Sequence, residues 1–319
     1  MVMMDKKICF LFTGQGSQYY GMGETLYKNN LIFKKCMDEL DRVVIEFGGY
    51  SVLSELYDPK KKGTTFNRLE YTHPAIFMVE YSLAQTMIHL GIKPDMVLGS
   101  SLGEITALAV AGCESAKEIL KFIILQPPQL KKCCKIGGMV TVLDDYRLYE
   151  DYTVHKDGIK IISINGDSHF VMSGTKAGIE NICSKSKTKG YFAYQLPVEY
   201  GFHTECIEAA KDDFIKIAED LYGDISDIPV YSCELASIRA QFCADDLWNI
   251  VRNPIRMRDT VARVKDIDNT IFIDMSPQGT MATLVKMMIN RKQGIFHILT
   301  QFNREEECIL EIRDKLGLK

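Results

Sequence analysis

The chain has 319 residues, a formal net charge of −4, 46% hydrophobic residues and 25% charged residues. This composition is typical of a globular protein, and the weak negative charge argues against a general attraction to nucleic acid or to an anionic membrane. No run reaches the roughly 20 apolar residues of a membrane span, and the ten cysteines include no C-x-x-C pair, so we expect a cytoplasmic protein without a metal site.

The first third of the chain predicts a parallel α/β core. Residues 7–13 (KICFLFT) form a short apolar run that ends at a glycine, which indicates a buried strand rather than a signal peptide. Residues 72–90 have the apolar spacing of a helix, and residues 96–99 are typical of a second strand. A tight turn and a helix rich in small residues follow at once. Strand, turn and helix in succession favour a doubly wound α/β architecture.

From residue 138 the pattern indicates a second, smaller unit. Four short strands are predicted at 138–143, 160–165, 170–174 and 191–198, with helices over 145–154 and 176–189. This β-α-β-β-α-β order is the ferredoxin-like arrangement. Strand character of the first kind returns at residue 271. We therefore predict a large α/β domain of residues 1–137 and 199–319, with a ferredoxin-like domain of residues 138–198 inserted into it.

Residues 99–103 (GSSLG) carry the clearest chemical signal of the sequence. They fit the G-x-S-x-G pattern of a nucleophile elbow, in which glycines two positions to either side let a serine project from a strained strand-to-helix turn. The spacing selects Ser101 over Ser100 as the nucleophile, and the helix that follows favours developing negative charge. The alternative is a structural glycine turn with an idle serine. Glu104 is expected to support the first turn of that helix.

A hydroxyl nucleophile needs a base, and the chain offers six histidines. His203 follows the end of a predicted strand where the chain returns to the large domain, and sites in such sheets gather at strand ends. The other histidines lie in predicted helices, strands or polar loops. A single histidine is more often structural, but as the partner of an elbow serine His203 is the leading candidate.

Several further motifs occur in a fixed order along nearly the whole chain. They are FLFTGQGSQ at 10–18, GMG at 21–23, HPA at 73–75, the elbow, SING at 163–166, FHT at 202–204, NP at 253–254 and DMSPQG at 274–279. In these motifs the chain resembles the malonyl-CoA:acyl-carrier-protein transacylases and the acyltransferase domains of polyketide synthases.

The resemblance implies an α/β-hydrolase-like large domain with a parallel sheet, carrying the ferredoxin-like insert. It implies that Ser101 holds the acyl group as an ester while His203 shuttles its proton, and that the backbone N–H groups of Gln15 and Leu102 form the oxyanion hole. The main-chain carbonyl of Ile250 is then expected to orient the histidine. No permanently bound cofactor is implied, because the acyl group arrives on the phosphopantetheine of an acyl-carrier protein or on CoA.

Two positions depart from the family pattern and bear on acyl selectivity. Ser100 replaces the histidine that commonly precedes the nucleophile, and Gln126 stands where malonyl-selective members have an arginine; Phe202 is assigned to the same acyl pocket. No arginine occurs between residues 69 and 146. Because a partly desolvated malonyl carboxylate needs a fixed cation, malonyl selection is disfavoured. Pro127 and Pro128 are expected to end the helix here.

These departures resemble a subgroup, the discrete acyl hydrolases of polyketide synthases whose acyltransferases act in trans. The favoured interpretation is a monomeric hydrolase that removes acyl groups from carrier-protein domains. The alternatives are a malonyltransferase-like enzyme that loads a non-malonyl or weakly malonyl unit from CoA onto carrier proteins, and a catalytically idle carrier-protein-binding subunit. Carrier proteins are acidic, so a basic docking face is expected, although ordinary solvated charges are an equally good interpretation. The candidates are Lys131, Lys132 and Lys135, or Arg252, Arg256 and Arg258.

Overall fold

The computed structural model describes residues 6–224, 227–291 and 293–318. Its strands are β1 Lys7–Phe12, β2 Met96–Gly99, β3 Gly137–Leu143, β4 Ile159–Gly166, β5 His169–Thr175, β6 Phe192–Gln195, β7 Gly223–Asp224, β8 Val230–Ser232, β9 Ser237–Arg239, β10 Gln241–Phe242, β11 Thr270–Asp274 and β12 Ile295–His297.

The α-helices are α1 Glu24–Asn29, α2 Leu31–Gly48, α3 Val52–Leu56, α4 Leu69–His89, α5 Leu102–Val110, α6 Ala116–Cys133, α7 Val154–Asp157, α8 Lys176–Lys189, α9 Lys211–Ile217, α10 Ala244–Arg252, α11 Met257–Ala262, α12 Thr280–Met288 and α13 Glu305–Leu316. Short 3₁₀ helices span Tyr146–Tyr149, Glu205–Ala210 and Ile267–Asn269.

The larger sheet has the order β12-β11-β1-β2-β8-β9, with all pairs parallel except the last. Its central strand β1 is buried on both faces: Phe10 and Phe12 enter one apolar cluster, and Cys9 and Leu11 enter the other. Such two-sided burial explains why this strand is a continuous apolar run. Phe12 pairs with Gly99, so the loop after β1 and the elbow after β2 emerge side by side.

The smaller sheet has the order β4-β5-β3-β6 with every pair antiparallel, as in a ferredoxin-like fold. Helix α8 has the predicted bounds, but the predicted helix over 145–154 is wrong. A 3₁₀ turn and the short α7 stand there. Asp144 and Asp145 accept hydrogen bonds from N–H groups one and two residues ahead, which competes with helix formation. The predicted α/β class with its ferredoxin-like unit is confirmed, while the exact domain boundaries stay a prediction.

Helix α6 continues through Pro127 and Pro128, so the expectation that the prolines end it is wrong. Each proline removes one N–H group from the helix ladder. The helix nevertheless persists because it packs against α2, α4 and α9, with buried side chains both before and after the prolines, such as Phe122 and Leu130. Tertiary packing therefore outweighs the local cost, and it fixes Gln126 on the buried face.

Candidate active site

Ser101 lies at the tight turn between β2 and α5 in a strained conformation, with φ 56° and ψ −126°. The glycines around it permit the turn. A Cβ atom at Gly99 would collide with the backbone of α5, and one at Gly103 would collide with the backbone of Phe12. Gly14 approaches from the loop after β1, where a Cβ atom would be 3.0 Å from that of Ser101. The nucleophile-elbow geometry is thus enforced by close backbone contact.

The His203 side chain lies within hydrogen-bond distance of Ser101. Its Nε2 lies 2.9 Å from the Ser101 hydroxyl oxygen, and its Nδ1 lies 2.7 Å from the main-chain carbonyl oxygen of Asn253. Because a carbonyl only accepts, Nδ1 carries the proton and Nε2 is left free to accept the serine proton. His203 is also held by its own backbone, which has a positive φ of 62° and donates to the Val251 carbonyl at 2.9 Å.

The prediction that the Ile250 carbonyl orients the histidine is wrong, because Asn253 supplies that group. Ile250 lies inside the last turn of α10, whereas Asn253 is the residue that ends the helix and has an extended conformation, with ψ 156°. Its carbonyl therefore points away from the helix axis and has no partner in the helix. The residue before a proline favours this extended conformation.

The two backbone N–H groups predicted to form an oxyanion hole belong to residues beside Ser101. Leu102 is the first residue of α5, so its N–H has no acceptor in a preceding turn and lies at the positive end of the helix. Gln15 follows Gly14, the residue that contacts Ser101, and its side-chain Nε2 donates to the Thr72 hydroxyl at 2.9 Å. The predicted pair thus flanks the serine from α5 and from the loop after β1.

A cavity of about 310 Å³ opens above the serine, between the two sheets and helices α4, α6 and α12. None of its lining residues is an aspartate, glutamate, lysine or arginine. Its three histidines are neutral at pH 7, because burial lowers the pKa of His73 to about 3, that of His203 to about 4, and that of His169 below its ordinary value. The cavity therefore carries no formal charge at neutral pH.

Gln126 projects into this cavity from α6 and is fully buried. The Gln126 side chain interacts with that of His73, a contact that raises the His73 pKa against the larger effect of burial. Neither amide atom of Gln126 nor Nδ1 of His73 has a partner in full hydrogen-bond geometry among the described residues. The His73 ring packs 5.6 Å from that of Phe202, and Ser100 also lines the cavity. The three residues predicted to set acyl selectivity thus share one cavity with the reacting pair.

His73 and Asn253 stand out in the sequence only as members of the HPA and NP motifs, and neither motif assigned them a role in the site. The HPA motif was visible, but nothing in it placed the imidazole beside residue 126. Four of the six candidate basic residues are paired with acidic neighbours: Lys132 with Asp213, Arg252 with Glu208, and Arg256 and Arg258 each with an aspartate, while Lys131 and Lys135 are exposed. These contacts favour ordinary surface charges over a docking face.

No group of three or more metal-binding side chains occurs in residues 6–224, 227–291 and 293–318. No helix within the same residues is both long and apolar enough to cross a membrane.

Comparison with known proteins gives consistent matches over nearly the whole chain. The family model for the acyl transferase domain matches residues 9–308. The chain is 35% identical over 316 residues to the polyketide biosynthesis acyltransferase homolog BaeD of Bacillus velezensis, covering 98% of both proteins. It is 36% identical over 305 residues to the homolog PksD of Bacillus subtilis, covering 95% of this chain and 94% of that protein.

A solved structure with a similar fold is the acyltransferase domain from the second module of the salinomycin polyketide synthase. The two chains superpose with a TM-score of 0.84 at 25% identity, over 97% of this chain and 72% of the other.

Proposed function

We propose that this chain, which belongs to the acyl transferase domain family, is a hydrolase that removes neutral acyl groups from acyl-carrier proteins of polyketide biosynthesis. Family membership supports an acyl-transfer enzyme of polyketide biosynthesis, since the relatives that match end to end are named as acyltransferase homologs of that process. The finer proposal concerns which acyl group enters and what accepts it.

The uncharged cavity is the observation that carries this proposal. A malonyl group brings a carboxylate, and burying it without a cation costs several kcal/mol as a rough figure. The cavity is lined without lysine or arginine, and the buried side chain at 126 is a neutral amide. An acetyl group or another neutral acyl chain has no such penalty. The Gln126 amide, whose described contact is with His73, makes no hydrogen bond in full geometry, so it can bond a polar acyl substituent or a water molecule.

The proposed reaction has two proton-coupled steps. In the first, Nε2 of His203 takes the proton of the Ser101 hydroxyl as the oxygen attacks the thioester carbonyl, and the N–H groups of Gln15 and Leu102 stabilise the oxyanion. The C–S bond then breaks, and the thiolate of the phosphopantetheine arm leaves with the proton from the imidazolium. In the second step a water molecule gives a proton to Nε2 as its oxygen attacks the ester carbonyl. The bond from the acyl carbon to the Ser101 oxygen then breaks, the imidazolium returns that proton to the serine oxygen, and the free acid leaves.

A transferase that moves a neutral acyl unit from CoA to a carrier protein is the second candidate. The acyl transferase family match favours it, since transfer and hydrolysis differ only in whether a thiol or water attacks the same ester. The proposal further includes action in the cytoplasm on carrier-protein domains, as a monomer, without a permanently bound cofactor.

The test is incubation of the protein with acetyl-loaded and malonyl-loaded carrier protein in water enriched in ¹⁸O. Hydrolysis predicts holo carrier protein and acetate that contains ¹⁸O, without dependence on CoA, and much slower loss of malonyl. Ser101→Ala should abolish the release, and Ser184→Ala, at an exposed serine of α8 that does not line the cavity, is the matched control that should retain it. Malonylation of holo carrier protein from malonyl-CoA, in place of acetate release, would contradict the proposal.

A further inference from the structure

A cluster of mostly buried charged side chains joins α5, β9 and α10 outside the cavity. The Arg239 side chain is 1% exposed, and its Nε and Nη2 donate to the Glu104 carboxylate at 3.1 Å and 3.0 Å. Its guanidinium also contacts Glu234 at 3.0 Å, Asp246 at 2.9 Å and the Ser232 hydroxyl at 3.3 Å. The cluster is well satisfied, as a buried charge requires.

Glu234 connects this cluster to the catalytic histidine. One carboxylate oxygen accepts from Arg239, and the other accepts from the Asn253 side-chain amide at 2.9 Å. The backbone N–H of Glu234 donates to the second carboxylate oxygen of Glu104 at 3.2 Å. Hydrogen bonds thus connect Glu104 on α5 to Glu234 and Glu234 to Asn253. The main-chain carbonyl of Asn253 then accepts from Nδ1 of His203.

We propose that Glu234 is a positioning residue for the proposed acyl-transfer chemistry: it anchors the Asn253 side chain so that the Asn253 carbonyl stays aligned with His203. The proposal rests on Ser101 and His203 being the reacting pair. Asn253 lies just beyond α10 and before a proline that has no N–H group to donate, so the backbone alone restrains this carbonyl weakly. The bond from its own side chain to Glu234 supplies the missing restraint.

The arrangement replaces the usual carboxylate of a serine triad by an indirect route. In a triad the carboxylate bonds Nδ1 directly and fixes the tautomer. Here the main-chain carbonyl of Asn253 fixes the His203 tautomer. The Glu234 carboxylate does not touch the imidazole but bonds the Asn253 side chain. Neither Glu234 nor Asn253 lines the cavity. A change at Glu234 is therefore expected to alter kcat while leaving KM nearly unchanged.

The chain offers a matched pair of substitutions. In Glu234→Gln the amide cannot accept hydrogen bonds at both ends, so either Arg239 or Asn253 faces a donor. In Asp246→Asn the same guanidinium loses a carboxylate partner, but the described partners of Asp246 are Arg239 and Cys243, not Asn253. We expect Glu234→Gln to lower kcat for acetyl-carrier-protein hydrolysis about tenfold to hundredfold, as displacement of a catalytic group does, with Asp246→Asn close to wild type.

A double-mutant cycle with Asn253→Ala tests the connection from Glu234 to Asn253. The alanine keeps the main-chain carbonyl but removes the amide that Glu234 holds. If Glu234 acts through that amide, Glu234→Gln adds no further loss of kcat in the Asn253→Ala background. Fully additive losses in the cycle would overturn the proposal. Equal losses in Glu234→Gln and Asp246→Asn that follow their melting temperatures would also overturn it, since they would indicate a purely structural cluster.

A second readout separates this proposal from the hydrolase assignment. A fluorophosphonate labels an activated serine: the Ser101 oxygen bonds to phosphorus, fluoride leaves, and His203 takes the proton. This labelling rate requires only the reacting pair and no acyl substrate. A wild-type protein that is labelled rapidly but releases no acetate would refute the hydrolase assignment, while slower labelling of Glu234→Gln than of Asp246→Asn would still support the positioning role.

Discussion

The substitution Gln126→Arg should convert the acyl preference of the site from neutral towards malonyl groups. Gln126 is fully buried and projects into the cavity that also holds Ser101. An arginine at this position would place a guanidinium fork where a malonyl carboxylate could accept two parallel hydrogen bonds. The cavity of about 310 Å³ has room for the longer side chain.

The expected magnitude follows from the bonds gained. Hydrogen bonds to charged groups contribute roughly 1.5 to 3 kcal/mol, which is about a tenfold to hundredfold change in the ratio of malonyl to acetyl kcat/KM. Without a bound substrate, Gln126→Arg should be less stable than wild type, because a buried guanidinium without a carboxylate partner destabilises the folded state. We therefore expect a lower melting temperature that malonyl-carrier protein restores more strongly than acetyl-carrier protein does.

The assay is competition between malonyl-loaded and acetyl-loaded carrier protein, followed by the mass of each species. Gln129→Arg is the matched control, since it makes the same change three residues later on α6 at a side chain that does not line the cavity. If Gln126→Arg folds and its malonyl-to-acetyl ratio equals that of wild type and of Gln129→Arg, residue 126 does not contact the acyl group and the selectivity argument fails.

Three further changes test other parts of the structure. Because burial lowers the pKa of His203 to about 4, kcat/KM should hold steady from pH 7 to about pH 5 and fall as the imidazole is protonated below that; a midpoint near 6.5 would contradict this environment. Gly103→Ala should lower the free energy of unfolding, measured by denaturant titration, by roughly 1 to 3 kcal/mol, because the added Cβ would clash with the backbone of β1. The control Gly166→Ala has open space around the added Cβ and should change this free energy by less than about 0.5 kcal/mol. Arg239→Met leaves the buried Glu104 carboxylate without a cation, so we expect a loss of about 3 to 5 kcal/mol in the same titration. Adding Glu104→Leu should recover part of this loss, because Glu234 and Asp246 also lose their cation.

The parts of the site that could be predicted from sequence are those that depend on a side chain within a local motif. Ser101 is marked by glycines at fixed spacing, which are required because the backbones of α5 and β1 approach so closely. Gln126 was informative because exchanging a cation for an amide changes a property of the residue type itself. The ferredoxin-like unit was equally visible, since strand and helix periodicity are local.

The parts that could not be predicted depend on contacts between distant segments. A main-chain carbonyl has the same chemistry at every position, so nothing in the residue types distinguished Asn253 from Ile250. Glu104 and Arg239 are 135 residues apart and their pairing is fixed only by the sheet. The continuation of α6 through its two prolines also depends on tertiary packing, which a local rule for proline does not include.

The absence of charge in the cavity and the basicity of His203 are physically linked. Burial already disfavours the imidazolium, and the nearby Arg252 lowers the pKa of His203 further. A guanidinium at residue 126 would add a second repulsion, which a malonyl carboxylate would neutralise but an acetyl group would not. With a neutral acyl group, an arginine there would oppose proton transfer to His203 in both acylation and deacylation. Glutamine at 126 therefore does more than admit neutral acyl groups: it preserves the proton affinity that their hydrolysis requires, and acetyl turnover in Gln126→Arg should fall while malonyl turnover rises.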